Sequence, residues 1–340
     1  MTELKINLAE RSYNITVGRD ILKSASEIMN FERKVFIVTD SGVPKEYAET
    51  VKNQAKDGKI YTVPEGEGSK SIGVLENLLS EMLEFGLSRS DCVVAVGGGV
   101  AGDLSGFAAA IYMRGIDFYN IPTTLLSQLD SSIGGKTAIN LCGVKNTVGA
   151  FYQPKHVLID TKTLETLSQR HFASGLAEAV KMALTSDGEL FDIFENEKID
   201  CGNIENVIVR ALMIKKSVVE KDERESGLRK ILNFGHTFGH GIEAAEGMGG
   251  LYHGECVALG MIPVCSDEVR ARLIPVLRKI GLPTEYKKGI DTALAFVLHD
   301  KKSHADSVEA IFVDTPGSFR IENMKIKDFS KLITERFCGL

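Results

Sequence analysis

The sequence predicts an α/β fold in which a Rossmann-like nucleotide-binding domain, residues 1–162, is followed by an all-α metal-binding domain, residues 163–340. Three observations lead to this prediction. Apolar β-branched runs alternate with helical segments up to about residue 160, and one of these runs ends in a GxGxxG turn. Beyond it the pattern becomes helical, and three of the seven histidines fall between residues 236 and 253. The length of 340 residues allows each domain a core of its own.

The composition excludes several classes of protein. A hydrophobic content of 44% and a charged content of 25% are typical of a globular protein. The net charge of -6 and the pI of about 5.8 argue against nucleic acid or an anionic membrane as the main partner. The six cysteines form no CxxC pair and are expected to be reduced thiols. Because the N-terminus lacks a signal-peptide layout and no apolar run reaches the ~18 residues of a membrane helix, we expect a cytoplasmic protein.

The strand signals of the first domain come in a regular series. Residues 1–18 alternate like a β-hairpin, and three β-branched runs follow at 34–40, 59–63 and 91–96. The amphipathic stretch 72–85 predicts a helix between the second and third runs. Buried apolar strands separated by helices indicate a parallel sheet.

The turn after the third run predicts dinucleotide binding. Gly97, Gly99 and Gly102 satisfy GxGxxG between a strand and a predicted helix over 104–113, where backbone N–H groups can hold a pyrophosphate. The usual fingerprint lies on the first βα turn, with an acid about 20 residues later, and this chain departs from that order. Asp40 is the better ribose candidate, because strand carboxyl ends line one crevice. A structural glycine turn and an ordinary turn aspartate are the alternatives.

A polar segment follows the nucleotide motif. Small residues, hydroxyls and Lys136 occupy residues 121–137, and Lys145 and Asn146 come soon after. N–H groups and lysine charges in such a loop can approach an anion, although solvated lysines are the alternative. Another strand is predicted over 151–160.

The histidines of the second half are crowded. His236 and His240 are spaced i, i+4, as in the metal-binding half of an HExxH motif, but the glutamate of that motif is missing. A solvated helix face and a packed core pair are equally compatible with the spacing. Gly235, Gly239 and Gly241 weaken those alternatives, because glycine costs ~1 kcal/mol in a helix and indicates a close approach of backbone or ligand.

A carboxylate for the same site is found earlier in the second half. Glu178 and Lys181 lie i, i+3 on one predicted helix face. They form either a surface ion pair of little energetic value or, with Glu178 as oxygen ligand, part of a Glu/His/His set. Three protein ligands leave coordination positions open, which is typical of a catalytic zinc site.

Further polar residues of the second half suit an anionic substrate. Lys215, Arg229, Asn233, Lys301 and Lys302 could supply positive charge or hydrogen bonds to a phosphorylated, carboxylated molecule. By themselves they are also compatible with polar surface positions.

Taken together, these segments resemble the 3-dehydroquinate synthase family, within the wider group of sugar phosphate cyclases, and therefore imply a dehydroquinate synthase-like fold. The matching motifs cover most of residues 91–261. They are GGGVAGD (97–103), YMRG (112–115), IPTTLLSQLDSSIGGKTAIN (121–140), GVKN (143–146), FYQPKHVLIDT (151–161), SGLAEAVK (174–181), KDERESGLRKILNFGHTFGHGIEA (221–244) and HGECVALGM (253–261).

The resemblance implies a role for each matching position. Glu178, His236 and His253 are expected to bind a divalent metal, zinc or cobalt, which makes only one member of the i, i+4 pair a ligand. The residues expected to hold NAD are Asp40, Glu67, Lys70, Gly97, Gly98, Gly99, Asp103, Thr123, Thr124, Asp130, Lys136, Lys145, Thr163 and Thr166. The residues expected to bind the substrate are Arg114, Asp130, Lys136, Asn146, Lys215, Arg229, Asn233 and Lys302, the last chosen over Lys301. The residues expected to act in catalysis are His240, Lys136, Lys145, Arg114 and Asn146, with His240 handling protons near the phosphate.

The implied activity is a multi-step lyase reaction of the shikimate pathway. The substrate, 3-deoxy-D-arabino-heptulosonate 7-phosphate, is expected to pass through transient oxidation by NAD, phosphate elimination, re-reduction, ring opening and an intramolecular aldol closure to 3-dehydroquinate. The only partner expected besides cofactor and metal is this phosphorylated sugar acid, with no nucleic acid or membrane, and a homodimer is common in the family. A metal-dependent polyol or alcohol dehydrogenase, a cyclase for another sugar phosphate and a catalytically inactive NAD-binding protein are the alternatives.

Overall fold

A computed structural model of the chain describes residues 1–225, 227–247, 249–301 and 307–337, except for the side chains of 298–301. The chain divides into two units: Met1–Leu167 with Ile204–Glu220, and Ser168–Asn203 with Lys221–Leu340. The domain division that we propose from the sequence, at residues 162 and 163, falls close to the end of the first long segment. Residues 204–220 return to the first unit, which a local helical pattern does not reveal.

The first unit is built on a seven-stranded sheet of order β1-β2-β9-β6-β5-β3-β4. The pair β1 and β2 is antiparallel, as predicted for the N-terminal hairpin, and every other pairing in this sheet is parallel. The strands are β1 (Thr2–Ile6), β2 (Tyr13–Gly18), β3 (Lys34–Asp40), β4 (Asp57–Val63), β5 (Cys92–Gly97), β6 (Asp117–Pro122), β7 (Lys136–Leu141), β8 (Val144–Phe151), β9 (His156–Asp160), β10 (Ser307–Phe312) and β11 (Arg320–Lys325).

The helices follow the predicted alternation in the first unit and dominate the second, so the predicted fold class is confirmed. They are α1 (Ala25–Ile28), α2 (Lys45–Lys52), α3 (Ile72–Glu84), α4 (Gly99–Ile111), α5 (Gln169–Ser186), α6 (Gly188–Asn196), α7 (Ile204–Lys221), α8 (His236–Glu246), α9 (His253–Met261), α10 (Asp267–Lys279), α11 (Ile290–Lys301) and α12 (Ile326–Phe337).

The strand order explains why the glycine-rich turn is not on the first βα unit. From β3 the chain adds β4 on one side, then returns across β3 to add β5, β6 and β9 on the other. This is the 2-1-3-4-5 order of flavodoxin-like sheets, whose topological switch point lies between the first and third strands. Here those strands are β3 and β5. Ligands of such sheets bind at the carboxyl ends at the switch point, where β3 and β5 end.

Alternating side chains of the strands build a core on each face of this sheet. Phe36 and Val38 of β3 pack with α3 and α4, whereas Val35 and Ile37 pack with the α1 and α2 side. The period of two places successive side chains on opposite faces. Both faces are therefore covered, as expected for a parallel sheet.

Two predicted elements have different bounds in the structure. The helix predicted over 104–113 begins at Gly99, so the glycine-rich turn itself forms the first turn of α4. The strand predicted over 151–160 is wrong as one element, since β8 ends at Phe151 and β9 begins at His156. Pro154 lies between them, and proline has no N–H to donate to a strand partner.

The second unit is centred on α5. Every residue of this helix from Phe172 to Thr185 is buried, including Glu178 and Lys181. An antiparallel pair, β10 and β11, adds a small sheet to the helices that the sequence predicts. Among the described residues, each helix is too short or too polar to cross a bilayer. None of the five described cysteines forms a disulfide.

Candidate active site

The glycine-rich turn and Asp40 meet at the carboxyl edge of the first unit's sheet. Asp40 ends β3 and Gly97 ends β5, the neighbouring strand. A β carbon added to Gly97 would lie 3.4 Å from Asp40 Oδ2. The other oxygen, Oδ1, accepts a hydrogen bond from Gly42 N at 2.9 Å, so Asp40 also stabilises its own turn. Both the ribose interpretation and the turn interpretation of Asp40 are compatible with this geometry.

The two predicted threonines lie beside the same glycines. Thr123 follows β6 and its N–H donates to Gly97 O at 2.9 Å. A β carbon on Gly98 would lie 3.1 Å from Thr124 Cγ2, and one on Gly99 would lie 3.1 Å from Ser131 Oγ. A side chain at either glycine would therefore crowd this edge. Because both positions are glycine, the start of α4 stays open to an anion.

A polar cluster around Lys70 links four of the predicted residues. Lys70 is buried; its Nζ donates to Asp103 Oδ2 at 2.6 Å, contacts Asn146 Oδ1 in a short hydrogen bond, and lies 3.5 Å from Glu67 Oε1. Asn140 of β7 donates to the same Glu67 oxygen at 3.0 Å. Burial raises the pKa of Asp103 to about 6, although the Lys70 ammonium opposes the shift. The β7–β8 hairpin is thereby tied to the loop after β4.

The helix α7 supplies a second buried lysine to the first unit. Lys215 Nζ forms an ion pair with Asp130 Oδ1 at 2.6 Å and a short hydrogen bond with the Asp130 carbonyl.

The two other predicted threonines lie in the segment after β9. Gln128 Nε2 donates to Thr163 Oγ1 at 3.0 Å, and Thr166 Oγ1 lies 2.9 Å from the Tyr47 hydroxyl.

The remaining predicted residues of the first unit are exposed. Lys136 and Lys145 lie on the β7–β8 hairpin. Arg114 lies in the turn after α4, with a left-handed φ of 69°. Because α4 has 13 residues, its two ends are about 20 Å apart, and Arg114 is at the end away from the glycine-rich turn. The structure therefore does not bring Arg114 to the nucleotide edge of the sheet.

In the second unit, three side chains converge on one point. Glu178 lies in the middle of α5, while His236 and His253 are the first residues of α8 and α9. Glu178 Oε1 is 3.8 Å from His236 Nε2 and 3.4 Å from His253 Nε2. One ligand atom from each residue lies within 4.8 Å of the others.

Glycine contacts bring the two histidine helices to this point. Gly235 precedes α8 with a left-handed φ of 76°. A β carbon on Gly260 of α9 would lie 1.9 Å from the carbonyl oxygen of Gly235. A β carbon on Gly239 would lie 3.0 Å from Cys256 O, and one on Gly241 would lie 2.5 Å from Ala293 O. The close approach predicted for these glycines is confirmed, and it is an approach of backbone.

The electrostatics of the cluster are dominated by burial. Glu178 and Lys181 are both buried and form an ion pair, so the surface-pair interpretation of these two residues is wrong. Burial favours the neutral acid, but Lys181 and the two histidines hold the pKa of Glu178 well below its usual range. Burial, assisted by Lys181, lowers the pKa of His236 to about 3. Burial also opposes the protonation of His253, but Glu178 and Glu243 outweigh it and raise that pKa to about 9.

The donor set fits a divalent cation. Neither carboxylate oxygen of Glu178 accepts a hydrogen bond of acceptable geometry, although Lys181 is in ion-pair contact. A buried carboxylate without hydrogen bonds is costly unless a cation compensates it. Two imidazole nitrogens and one carboxylate oxygen are ligands that zinc accepts, and three protein ligands leave positions for a substrate.

His240 lies next to this group but not in it. It is exposed on α8, one turn after His236, with ring centroids 5.2 Å from His236 and 6.1 Å from His253. Among the described residues, the Glu178 group therefore takes only one member of the i, i+4 pair.

Two predicted substrate residues of the second unit lie in the segment before α8. Arg229 is buried, and its Nη1 donates to Glu223 O at 2.6 Å. Asn233 is exposed and its Nδ2 donates to Glu225 Oε1 at 3.2 Å. Lys302 falls outside the described residues, as does the side chain of Lys301.

Sequence reasoning paired Lys181 with Glu178 but did not predict that the pair is buried, and it missed Glu243 as a member of the cluster. Lys181 is the single cation in the apolar run around Glu178, a sign of a buried helix that was available in the sequence. Glu243 Oε2 lies 3.2 Å from His253 Nδ1. No local signal connects these two, because the contact joins different helices.

Comparison with known proteins gives one consistent result. Residues 60–174 match the profile of the 3-dehydroquinate synthase N-terminal domain, and residues 175–303 match that of its C-terminal domain. The chain is 41% identical to a 3-dehydroquinate synthase of Dictyoglomus thermophilum, over 98% of each chain. A 2-deoxy-scyllo-inosose synthase complexed with carbaglucose-6-phosphate, NAD+ and Co2+ matches at 28% identity and a TM-score of 0.87, over 98% of this chain and 100% of the other. The 2-epi-5-epi-valiolone synthase of Streptomyces hygroscopicus, with NAD+ and Zn2+ bound, matches at 26% identity and a TM-score of 0.87, over 98% of each chain.

Proposed function

The chain belongs to the 3-dehydroquinate synthase family, and we propose that it converts 3-deoxy-D-arabino-heptulosonate 7-phosphate to 3-dehydroquinate and phosphate. This is a carbon–oxygen lyase reaction of the shikimate pathway (EC 4.2.3.4). The observation that carries the proposal is the convergence of Glu178, His236 and His253 in a chain that matches this family along nearly its whole length.

The enzyme uses NAD and a divalent metal ion, zinc or cobalt. When bound, NAD accepts a hydride and later returns it, and the metal ion lowers the pKa of a substrate hydroxyl. Glu178, His236 and His253 would hold the metal. Burial lowers the pKa of His236 to about 3, which favours the unprotonated nitrogen that a metal ligand must offer. At His253, whose pKa Glu178 and Glu243 raise, metal binding would have to release a proton.

The carboxyl edge of the sheet would hold NAD. Glycines at the start of α4 leave room for the pyrophosphate, and backbone N–H groups of Gly98 and Gly99 lie where a helix N-terminus favours negative charge. Asp40 at the switch point would accept hydrogen bonds from a ribose. The residues proposed to complete this site are Glu67, Lys70, Gly97, Asp103, Thr123, Thr124, Asp130, Lys136, Lys145, Thr163 and Thr166.

Cationic and amide side chains would bind the substrate's phosphate and carboxylate. Charge-assisted hydrogen bonds to such groups fix orientation, and orientation lowers the barrier of each step. The residues proposed for this work are Arg114, Asp130, Lys136, Lys145, Asn146, Lys215, Arg229, Asn233 and Lys302. His240 would exchange a proton with the phosphate-bearing end of the substrate. Its exposure on the same face of α8 as His236 leaves the ring accessible for this.

We also propose a homodimer in the cytoplasm. Ile111 and Met113, which flank α4's end, line an exposed apolar groove with Ile72 and Leu83 of α3. Exposed apolar side chains clustered in this way are typical of an interface. Arg114 directly follows the groove residue Met113 in the chain, so the proposed dimer would place Arg114 near the interface.

Product analysis tests this function. Purified protein supplied with NAD, zinc or cobalt, and the heptulosonate phosphate is expected to form 3-dehydroquinate, and a chelator is expected to abolish the product until metal is restored. A hexose 6-phosphate, which lacks the carboxylate, is expected to give no product. A cyclic product from the hexose phosphate alone would support the alternative of a cyclase for another sugar phosphate.

A further inference from the structure

Glu243 contacts His253, the more exposed of the two histidines in the group formed by Glu178, His236 and His253. Its carboxylate Oε2 lies 3.2 Å from His253 Nδ1. The side chain of His253 is 31% exposed, whereas that of His236 is 11% exposed. Glu243 belongs to α8 and follows His236 by seven residues, so both project from one face of that helix. The helix that supplies one histidine therefore also supplies a carboxylate to the other.

The two histidines share an arrangement around their ring nitrogens. His236 Nδ1 lies 3.1 Å from the Phe234 carbonyl oxygen, and His253 Nδ1 lies 3.2 Å from the Glu243 carboxylate. When Nε2 is unprotonated, as it must be in a metal ligand, each acceptor favours the tautomer that carries its proton on Nδ1, and the lone pair is then on Nε2, which faces Glu178 Oε1. Metal-binding histidines ordinarily donate their other N–H in this way.

We propose that Glu243 is a positioning residue for the metal site, fixing the tautomer and ring orientation of His253 and strengthening its Nε2 as a ligand. This inference rests on the metal site proposed above. A carboxylate matters at His253 in particular, because the side chain of His253 is 31% exposed and packing therefore fixes its ring less than that of His236. His236 is more deeply buried, and the Phe234 carbonyl oxygen lies against its Nδ1.

A second cation site is the competing interpretation of the same contact. One ligand atom each of His240, Glu243 and His253 also lies within 4.8 Å of the others. To bind a second ion together with His240 and Glu243, His253 would have to lose its Nδ1 proton while its Nε2 binds the ion held by Glu178 and His236. A neutral imidazole has one lone pair on one nitrogen, so the positioning role is chemically simpler.

Cobalt binding to the full, metal-free chain tests the proposal. Calorimetric titration with Co2+, followed also by its visible absorption, compares the wild type with Glu243→Ala and Glu243→Gln. Loss of a group that orients a ligand typically lowers metal affinity 10–100-fold, which is the loss expected for Glu243→Ala. Glu243→Gln is expected to lose less, because its amide oxygen still accepts the Nδ1 hydrogen bond without the charge.

The matched control is Glu246→Gln on the same helix. Glu246 pairs with Lys288 at 2.9 Å, and this variant is expected to bind Co2+ like the wild type. Unchanged affinity and absorption in both Glu243 variants would overturn the inference while leaving the metal site intact. Two ions in the wild type and one in Glu243→Ala would overturn it in favour of the second cation site. A wild-type chain that binds no Co2+ would instead overturn the metal site itself.

Discussion

Gly254 lies so close to Ser174 that a β carbon on Gly254 would be 1.9 Å from the Ser174 carbonyl oxygen. Gly254 N also donates to Ser174 Oγ at 3.1 Å. This crossing of α5 and α9 lies one residue from His253 and one helical turn from Glu178. It sets the separation of two proposed metal ligands that are distant in the sequence.

We predict that Gly254→Ala weakens metal binding. The two backbones must move apart, and overpacking of this kind typically costs 1–3 kcal/mol, with more expected here because the obstacle is backbone. The expected result is a lower thermal midpoint together with lower Co2+ affinity. Gly73→Ala is the control, since nothing lies within 4 Å of a β carbon there. A Gly254→Ala protein with wild-type metal affinity would show that the crossing does not set the site.

We predict that His253→Ala loses metal whereas His240→Ala retains it. His253 Nε2 faces Glu178, and His240 lies outside that group. Loss of a ligand is expected to lower Co2+ affinity by more than the 10–100-fold typical of an orienting residue. His240→Ala is expected to bind metal normally but to release phosphate slowly. Equal metal loss in the two variants, measured by dialysis and elemental analysis, would make His240 a metal ligand and contradict its exclusion from the Glu178 group.

We predict that the Lys70–Asp103 pair acts as a unit. Lys70 is 4% exposed, so Lys70→Met leaves a largely buried carboxylate without its cation. Breaking a buried pair by removing one partner typically costs 3–5 kcal/mol. In urea unfolding, the double variant Lys70→Met, Asp103→Asn is expected to regain part of that loss. A double variant as unstable as the sum of the two single variants would contradict the coupling.

We predict that His156 makes stability depend on pH. This buried residue of β9 has its ring 2.8 Å from Thr16 Oγ1, and burial lowers its pKa although Glu3 opposes the shift. The pKa of an unfolded histidine is about 6.5. Because the folded pKa is lower, the unfolded state binds the proton more tightly, and the folded state loses stability as the pH falls below about 6.5.

Urea unfolding at about pH 7.5 and 5.5 compares the wild type with His156→Gln. Between pH 7.5 and 5.5 the wild type is expected to lose more free energy of unfolding than His156→Gln does. The difference is at most ~1.4 kcal/mol, because the lower pH is about one unit below the pKa of the unfolded histidine. Asp103, with its pKa raised to about 6, acts in the opposite sense in both proteins and cancels in the comparison. An identical pH dependence in the two proteins would rule out His156 as its source.

Local patterns in the sequence were enough to predict the strands β1 to β5, the helices α3 and α4 and the helical character of the second half, but not β6, the β7–β8 hairpin or the β10–β11 pair. The alternation in β3 and the glycines after β5 are signals within a few neighbouring residues. The sheet order is not local, and it is the order that puts the glycine-rich turn at the switch point. For this reason the departure from the usual fingerprint could be noted in the sequence but not explained from it.

The site shows the same division. Glu178, His236 and His253 were predicted through the resemblance of their motifs, and the structure brings them together. The contact of Glu243 with His253 depends on how α8 packs against α9, and the burial of Lys181 depends on what surrounds α5. The contact between Glu243 and His253 does not follow from spacing along one helix, whereas the apolar run around Lys181 is a local sign that α5 is buried.

In the proposed reaction, NAD is reduced and reoxidised within one turnover while phosphate leaves. The most direct measurement follows phosphate and NADH together, with the heptulosonate phosphate in large excess over NAD. We predict that phosphate release exceeds the NAD supplied many-fold and that no NADH accumulates. NADH formed in proportion to substrate, without phosphate, would contradict the account and identify a dehydrogenase.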